Sequence, residues 1–267
     1  YLGRSGSAYR IAIENSPNLH ELFVFGELPV KSWKRISSAV FETLNRLKST
    51  RGRLSSGSEY GALEALAPTK TQARLMAYAQ QSGTDLKQPI SVNGEPPVSL
   101  QEIYKETSRV ILAAEELKTM PLSVMHGDFC FPNLFFDFRS NTIRFIDPRG
   151  SVRDGEPTVL GSPTYDLAKL KHSITGYDKI LAGQFWLGES RPGLRILIDH
   201  NENAQNAERC LTELSIAHGF DLFSPLLQAL NIQLFLSMLP IHSENRDRQS
   251  ALMANAVRLF WKANNSA

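Results

Sequence analysis

The sequence predicts an α+β fold that is mostly helical, and two observations support this class. Apolar residues recur at helical spacing over most of the chain, whereas strand-like runs are confined to residues 9–13 and 123–147. With 267 residues, the chain is long enough for one large domain or for two smaller lobes. Neither an internal repeat nor a low-complexity segment divides the sequence.

The first hundred residues predict one strand followed by helices. Residues 9–13 are typical of a strand, and residues 14–17, Glu-Asn-Ser-Pro, are typical of a turn. Helical spacing of the apolar residues predicts helices over 31–49 and 70–81. Segments rich in glycine, serine, proline or asparagine predict two loops, at 51–57 and 88–97.

A long helix is predicted to begin at Ser99 with a capping box. In the sequence Ser99-Leu100-Gln101-Glu102, the serine and the glutamate side chains can each satisfy the other residue's free backbone amide. An apolar stripe continues this helix through Ile103, Thr107, Val110, Ala114 and Leu117.

The central segment, residues 123–150, predicts a strand, a polar loop and a β-hairpin. Residues 124 and 125 end a short apolar run, which leads into His126-Gly127-Asp128. Residues 134–136 and 143–146 have the character of two strands, and Arg-Ser-Asn at 139–141 is typical of the turn between them.

The remainder of the chain predicts helices. Pro163 and Thr164 are suited to the start of a helix over 164–173. From Ile180 onward we expect helical scaffolding, in which 226–239 is apolar enough to be buried and 246–261 is amphipathic.

Three polar residues of the central segment have the types and the spacing that phosphoryl transfer requires. Asp128 and Asn133 are separated by four residues, and Asp147 follows the hairpin. Mg²⁺ prefers hard oxygen ligands, which the Asp147 carboxylate and the Asn133 carbonyl provide. Asp128 can accept a hydroxyl proton or orient that hydroxyl. The alternative is a polar hairpin in which the three residues share no function.

Residues 126–133, HGDFCFPN, and 145–150, FIDPRG, resemble the aminoglycoside phosphotransferase and choline kinase superfamily, whose members share the protein-kinase-like fold. Weaker similarity extends over 161–178. The DPRG ending is similar to a subgroup associated with bacterial capsule and surface-polysaccharide loci. The resemblance implies transfer of the ATP γ-phosphate, with Mg²⁺, to a hydroxyl of a small-molecule acceptor such as a sugar or an amino alcohol.

The resemblance also implies the roles of single residues. Asp128 would be the catalytic aspartate, and Asn133 and Asp147 would hold Mg²⁺. A hinge that binds adenine through its backbone is implied at Ala12, Ile13 and Glu14.

Four further residues are candidates for the acceptor side. The resemblance implies that Asp166 orients the catalytic loop or lines the acceptor pocket, although an acidic residue in a first turn can simply favour the helix dipole. Lys169 and His172 are three residues apart, so they share a helical face and either contact the acceptor or are surface polar groups. Arg149 adds to a basic rim, which suits an anionic or neutral sugar better than a polyamine.

The start of the chain predicts that the N-terminal β-lobe is largely missing. Such a lobe needs several strands, a phosphate-covering loop and a lysine before the hinge, and the eight residues that precede Tyr9 cannot hold them. We interpret residues 1–16 as a remnant of that lobe with the hinge, and 17–267 as the mostly helical C-lobe. The missing lobe either belongs to the same, longer native protein, as its own lobe or as a fused domain, or has been lost. Without it we expect little transfer from ATP.

Composition indicates a globular, cytoplasmic protein. Hydrophobic residues make up 42% and charged residues 21%, and a net charge of +2 without a basic run does not indicate nucleic acid or a membrane surface as a partner. Two cysteines exclude a disulfide scaffold, and no run approaches the ~18 apolar residues of a membrane span. Three classes stay open: a small-molecule kinase, an inactive kinase-like binding or regulatory module, and a hydrolase of a phosphorylated sugar.

Overall fold

The computed structural model describes residues 13–52, 62–116, 122–152, 157–189 and 193–265, and the backbone alone of 3–5 and 8–10. Helices occupy more than half of these residues, which confirms the predicted α+β class with a mostly helical body. In chain order they are α1 (Leu19–Val24), α2 (Val30–Ser49), α3 (Ala62–Glu64), α4 (Lys70–Ser82), α5 (Leu100–Glu116), α6 (Pro163–His172), α7 (Asp178–Leu181), α8 (Glu202–Ala217), α9 (Pro225–Met238) and α10 (Arg246–Asn264). Two π-helical turns, Ala65–Thr69 and Ser173–Tyr177, join α3 to α4 and α6 to α7.

The strands of the described residues form four antiparallel pairs. These are β1 (Gly3–Ser5) with β2 (Ala8–Arg10), β3 (Ser123–Val124) with β6 (Leu160–Gly161), β4 (Leu134–Asp137) with β5 (Thr142–Phe145), and β7 (Phe185–Glu189) with β8 (Leu194–Ile198). The predicted hairpin is therefore present as β4 and β5. Its turn holds Asn141 at φ +56°, a left-handed conformation that asparagine tolerates. The Asp137 carboxylate also accepts a hydrogen bond from the Arg139 N–H at 2.8 Å.

Helix α9 is the centre of the packing, because it is apolar on all sides and contacts α4, α5, α6 and α10. Leu227, Leu230 and Leu234 belong to a buried cluster that includes side chains of α1, α2, β4 and α6. Phe235 and Leu236 belong to a second cluster, with side chains of α4, α5 and α10. Among the described helices, none has both the length and the apolarity needed to cross a bilayer.

The predicted capping box is confirmed at the start of α5. The Ser99 N–H donates to Glu102 Oε2 at 2.8 Å, and the Glu102 N–H donates to Ser99 Oγ at 3.2 Å. The predicted helices over 31–49, 70–81 and 246–261 correspond to α2, α4 and α10. Leu117 and most of the predicted loop over 51–57 lie outside the described residues.

The prediction of helix throughout the region after Ile180 is wrong for β7 and β8. Trp186 and Leu197 form a cross-strand pair and are 52% and 53% exposed, whereas their strand neighbours point inward, so the period is two residues. The segment predicted as a loop over 88–97 forms hydrogen bonds with strand β8 of this sheet. The Asn93 side chain accepts a hydrogen bond from the Ile196 N–H at 2.9 Å and donates one to the Ile196 carbonyl at 3.2 Å.

Glu14, the last residue of the predicted hinge, and the turn that follows it lie along the β4–β5 hairpin. The Phe136 N–H donates to the Pro17 carbonyl at 3.1 Å, and Arg144 Nη1 lies 3.1 Å from Glu14 Oε2. The strand predicted over 9–13 begins within β2, but residues 11 and 12 lie outside the described residues. Residues 14–17 are therefore anchored to the hairpin that leads to Asp147.

Candidate active site

The candidate site is the loop between β3 and β4, which folds back on itself. The Cys130 N–H donates to the Asp128 carbonyl at 2.8 Å, and the Asn133 N–H donates to the Cys130 carbonyl at 3.0 Å. The Phe131 N–H donates to Ser173 Oγ at 3.0 Å. These hydrogen bonds satisfy the backbone of the loop locally, so the loop has a defined conformation without belonging to a sheet.

Asp166, in the first turn of α6, holds the start of this loop. Its Oδ2 accepts a hydrogen bond from the His126 N–H and its Oδ1 accepts one from the Gly127 N–H, both at 2.7 Å. Burial raises the pKa of Asp166 to about 7, while the two amides oppose this rise because they stabilise the carboxylate. Of the two roles predicted for Asp166, these contacts support orientation of the loop.

His126 connects the loop to the end of β5. Its Nε2 lies 2.8 Å from the Ile146 carbonyl oxygen, and its Nδ1 accepts a hydrogen bond from the Asp128 N–H at 3.2 Å. Because a carbonyl requires a donor and the amide requires an acceptor, the ring is neutral with its proton on Nε2. Burial lowers the pKa of His126, which favours this neutral form. The Arg149 N–H donates in turn to the His126 carbonyl at 2.8 Å, so the segment with Asp147 is held beside the loop.

Gly127 lies where another residue would not fit. Its φ of +78° is in the left-handed region, and a Cβ atom at this position would lie 2.6 Å from Arg149 Cβ. The glycine of the HGD sequence therefore allows the loop and the DPRG segment to approach each other closely.

Asp128 lies between two partners that hold its two carboxylate oxygens. Lys169 Nζ lies 2.7 Å from Oδ1, and Asn133 Nδ2 donates to Oδ2 at 3.1 Å. Burial alone would raise the pKa of Asp128, but the Lys169 ammonium and the Asn133 amide outweigh it and lower the pKa below its ordinary value. The carboxylate is ionised at neutral pH. Since 40% of the Asp128 side chain is exposed, it remains accessible to a ligand.

Lys169 is buried and belongs to the charge balance around Asp128. Burial opposes its positive charge, but Tyr165 and the Asp128 carboxylate raise the pKa of Lys169 above its ordinary value. In the structure its ammonium is paired with Asp128, a contact that the helical spacing alone did not predict.

Asn133 and Asp147 are brought together at the open end of the hairpin, because the Ile146 N–H donates to the Asn133 carbonyl at 3.1 Å. Asp147 is exposed and has a φ of +61°, a left-handed conformation that aspartate, like asparagine, adopts more readily than most residues. The side-chain nitrogen of Asn133 also donates to the Asp128 backbone carbonyl at 2.9 Å, so the amide group is oriented by its nitrogen and not by its oxygen.

These two oxygen donors fit Mg²⁺, which usually takes one or two protein ligands together with phosphate oxygens and water. Over the described ranges, no group of three or more His, Cys, Asp or Glu side chains could hold a metal ion. A metal at Asn133 and Asp147 would therefore complete its coordination with phosphate oxygens or water.

The predicted hinge is only partly described. Ala12 lies outside the described residues, and Ile13 is 84% exposed. Hydrogen bonds from Ser16, with a smaller contribution from Arg144, lower the pKa of Glu14 and keep its carboxylate charged. These contacts do not test adenine binding, so the hinge stays a prediction.

His172 does not reach the cleft, although the sequence made it a candidate for acceptor binding. Its ring is 1% exposed and lies between the rings of Tyr177 and Phe235, with centroid distances of 4.3 and 4.1 Å. The face of α6 that carries His172 packs on α9, and the spacing from Lys169 did not predict this.

Two basic residues that the sequence analysis did not single out interact with residues of the site. Lys70 and Arg74, in the first turns of α4, interact electrostatically with Arg149. Their i,i+4 spacing was a signal that they share a helical face, but nothing in the sequence related that face to the loop. The candidate Arg149 donates from Nε to the Ser151 carbonyl at 3.0 Å.

Comparison with known proteins gives little further information. No family model matches the chain, and no curated protein matches it. A solved structure described as "Glucosamine kinase (crystal form B)" is similar over 92% of this chain and 58% of its own, with 14% sequence identity and a TM-score of 0.49. The chain thus spans less than two thirds of the length of that kinase.

The burial of His172 predicts an acid-sensitive fold. Burial holds the pKa of His172 well below 6.5, so the ring is neutral in the folded protein and binds a proton on unfolding in mild acid. The stability that this group contributes is therefore lost as the pH falls below the unfolded pKa. Between about pH 7.5 and 5.5, the free energy of unfolding should fall by about 1.4 kcal/mol more in the wild type than in His172→Phe, as measured by urea denaturation.

His200→Phe is the matched control, because the His200 side chain is 51% exposed. This control should keep the acid response of the wild type. Equal acid sensitivity of the wild type and His172→Phe would contradict the interpretation of His172.

Proposed function

We propose that this protein is an ATP- and Mg²⁺-dependent phosphotransferase that moves the γ-phosphate to a hydroxyl of a sugar or amino-alcohol acceptor. The observation that carries the proposal is the arrangement of Asp128, an accessible carboxylate held between Asn133 and Lys169. Catalysis of phosphoryl transfer consists mostly of positioning and charge stabilisation. A fixed carboxylate can position the acceptor hydroxyl, and a pair of hard oxygen donors can hold a metal ion that stabilises the charge.

Asp128 would act on the acceptor. Its carboxylate is ionised at neutral pH, so it can accept a hydrogen bond from the acceptor hydroxyl and take the proton as the oxygen attacks phosphorus. The contacts to Lys169 and Asn133 fix the orientation of the carboxylate, which favours in-line attack.

Asn133 and Asp147 would hold Mg²⁺, which neutralises the charge of the nucleotide phosphates when it is bound. The Asp147 carboxylate contributes a negative charge to this site, and the Asn133 side-chain oxygen contributes a neutral dipole. His126 would act indirectly, since its hydrogen bond to the Ile146 carbonyl positions the residue before Asp147.

The finer assignments derive from the sequence motifs. Adenine would contact the backbone at Ala12, Ile13 and Glu14, of which Glu14 lies beside Arg144 of β5. The DPRG sequence favours an acceptor of surface-polysaccharide biosynthesis.

The first prediction of this proposal concerns Asp128→Asn. The substitution keeps the size of the side chain but removes the proton acceptor, so turnover should fall by about 10²–10⁴-fold. Affinity for Mg²⁺ and nucleotide should change little, because Asp128 acts on the acceptor. Turnover is measured as ADP release from the native-length protein, with an acceptor found by a mass-shift screen of sugars, amino alcohols and aminoglycosides.

Asp247→Asn, at an exposed position of α10, is the matched control and should keep full turnover. Wild-type turnover in Asp128→Asn would remove Asp128 from the mechanism. A wild-type protein that binds Mg²⁺ and nucleotide but modifies no acceptor in the screen would favour the inactive binding module.

The second prediction concerns the metal. Asp147→Ala should abolish the Mg²⁺-dependent part of nucleotide binding and Asn133→Ala should weaken it, because an anionic ligand outweighs a neutral one at a divalent cation. Calorimetry with a non-hydrolysable ATP analogue, with and without Mg²⁺, separates the two effects. Asp247→Ala is the control, and equal Mg²⁺-dependent affinity in all variants would show that the metal binds elsewhere.

A further inference from the structure

The acceptor side of Asp128 is surrounded by positive charge from three separate elements. Lys169 of α6 forms the ion pair at 2.7 Å, and Arg149 approaches from the DPRG segment through its hydrogen bond to His126. Lys70 and Arg74 of α4, one turn apart on a single helical face, complete the group. We call Lys70, Arg74, Arg149 and Lys169 the basic cluster.

The basic cluster reaches Asp128 through a different carboxylate oxygen from the candidate metal ligand. Oδ2 meets Asn133, whereas Oδ1 meets Lys169. Lys70 of the same cluster interacts electrostatically with Lys169, Arg149 and Asp128. With the metal and the nucleotide phosphates at Asn133, an anion held at Lys169 would lie on the Oδ1 side, next to the acceptor hydroxyl.

Among the described residues, carboxylates balance only part of the charge of the basic cluster. Asp128 is the carboxylate paired with Lys169, and the neighbouring Asp166 is buried and hydrogen-bonded to two amides. Within the described ranges, no carboxylate lies within 4.0 Å (the ion-pair distance) of the charged nitrogens of Lys70 or Arg74. Arg74 Nη1 donates a hydrogen bond to a neutral group, the Ser237 carbonyl of α9, at 3.0 Å. Burial, and then repulsion from Arg74, Lys169 and Arg149, lower the pKa of Lys70 to about 7, against the opposing attraction of Asp128.

A buried tyrosine hydroxyl lies near the basic cluster. Tyr165 of α6 is fully buried, and its hydroxyl has no hydrogen-bond partner in the part of the chain that the structure describes. Its electrostatic partners are Lys169, Arg149, Asp128 and Arg74. Buried polar groups nearly always have a hydrogen-bond partner. A buried group without one in the protein is explained by a ligand or a water that bonds to it.

We propose that the basic cluster is an oxyanion subsite, which binds a phosphate or carboxylate group carried by the acceptor. This inference rests on the proposed phosphotransferase function and adds the class of acceptor, an acidic or already phosphorylated sugar. The anion would lie beside Lys70 and Arg74 while the acceptor hydroxyl meets Asp128. Neighbouring arginine and lysine side chains are well suited to phosphate and carboxylate groups. Their charge-assisted hydrogen bonds to oxyanions are stronger than hydrogen bonds between neutral groups.

The test is calorimetric binding of three probes to the native-length protein: glucose, glucose 6-phosphate and glucuronate. The two charged sugars should bind at least about tenfold more tightly than glucose, and their ratio distinguishes a phosphate subsite from a carboxylate subsite. Lys70→Met and Arg74→Met should each weaken binding of the charged sugar by about tenfold or more. Affinity for Mg²⁺ and the ATP analogue should stay unchanged in both variants.

A second readout depends on the proton of Lys70. If the subsite binds an anion next to Lys70, binding should take up a proton near neutral pH, because the anion favours the charged ammonium. Affinity for glucuronate, whose carboxylate stays ionised over this range, should therefore rise as the pH is lowered from about 8 to 6, and Lys70→Met should lose this dependence. Calorimetry in buffers of different ionisation enthalpy measures the uptake directly.

Lys105→Met, at an exposed position of α5, is the matched control and should bind every probe as the wild type does. Equal affinity for glucose and the charged sugars, or unchanged affinity in folded Lys70→Met and Arg74→Met, would overturn the subsite. Thermal unfolding of each variant confirms that it is folded. Binding of the charged sugar that persists while Mg²⁺-dependent nucleotide binding is absent from the wild type would support the subsite and contradict the phosphotransferase.

Discussion

The structure of the site depends on one interaction, the pair of hydrogen bonds from the His126 and Gly127 amides to the buried carboxylate of Asp166. A loop outside a sheet has few ways to satisfy its backbone, and a carboxylate with two acceptor oxygens can hold two consecutive amides at once. The direction of the chain at His126 then determines the position of the next residues. Asp128 comes to lie beside Lys169, and the His126 ring reaches the end of β5.

Helix α6 therefore determines both the backbone conformation of the loop and the charge around Asp128. Asp166 and Lys169 are three residues apart on α6, so the same helical turn fixes the loop and pairs with its aspartate. Helix α6 packs in turn on α9, the apolar helix between the two buried clusters. The geometry around Asp128 is thus coupled to the core of the molecule, and the buried His172 is part of that contact.

Local patterns predicted the parts of the fold that local physics determines. The capping box, the β4–β5 hairpin and the long amphipathic helices follow from short-range spacing, and the structure contains them. The hairpin of β7 and β8 was missed although its residues alternate with a period of two; its contact with Asn93, which is distant in sequence, could not be predicted. The inward position of His172 and the approach of Lys70 also depend on helix packing, which a single sequence does not reveal.

Amide hydrogen exchange followed by NMR tests most directly whether Asp166 holds the loop between β3 and β4. In the wild type the His126 and Gly127 amides should be protected. In Asp166→Asn, which keeps one acceptor oxygen, at least one of these two amides should exchange about tenfold faster or more. The Phe131 amide, bound to Ser173, serves as the reference and should be unaffected. Unchanged protection of both amides in folded Asp166→Asn would contradict this role of Asp166.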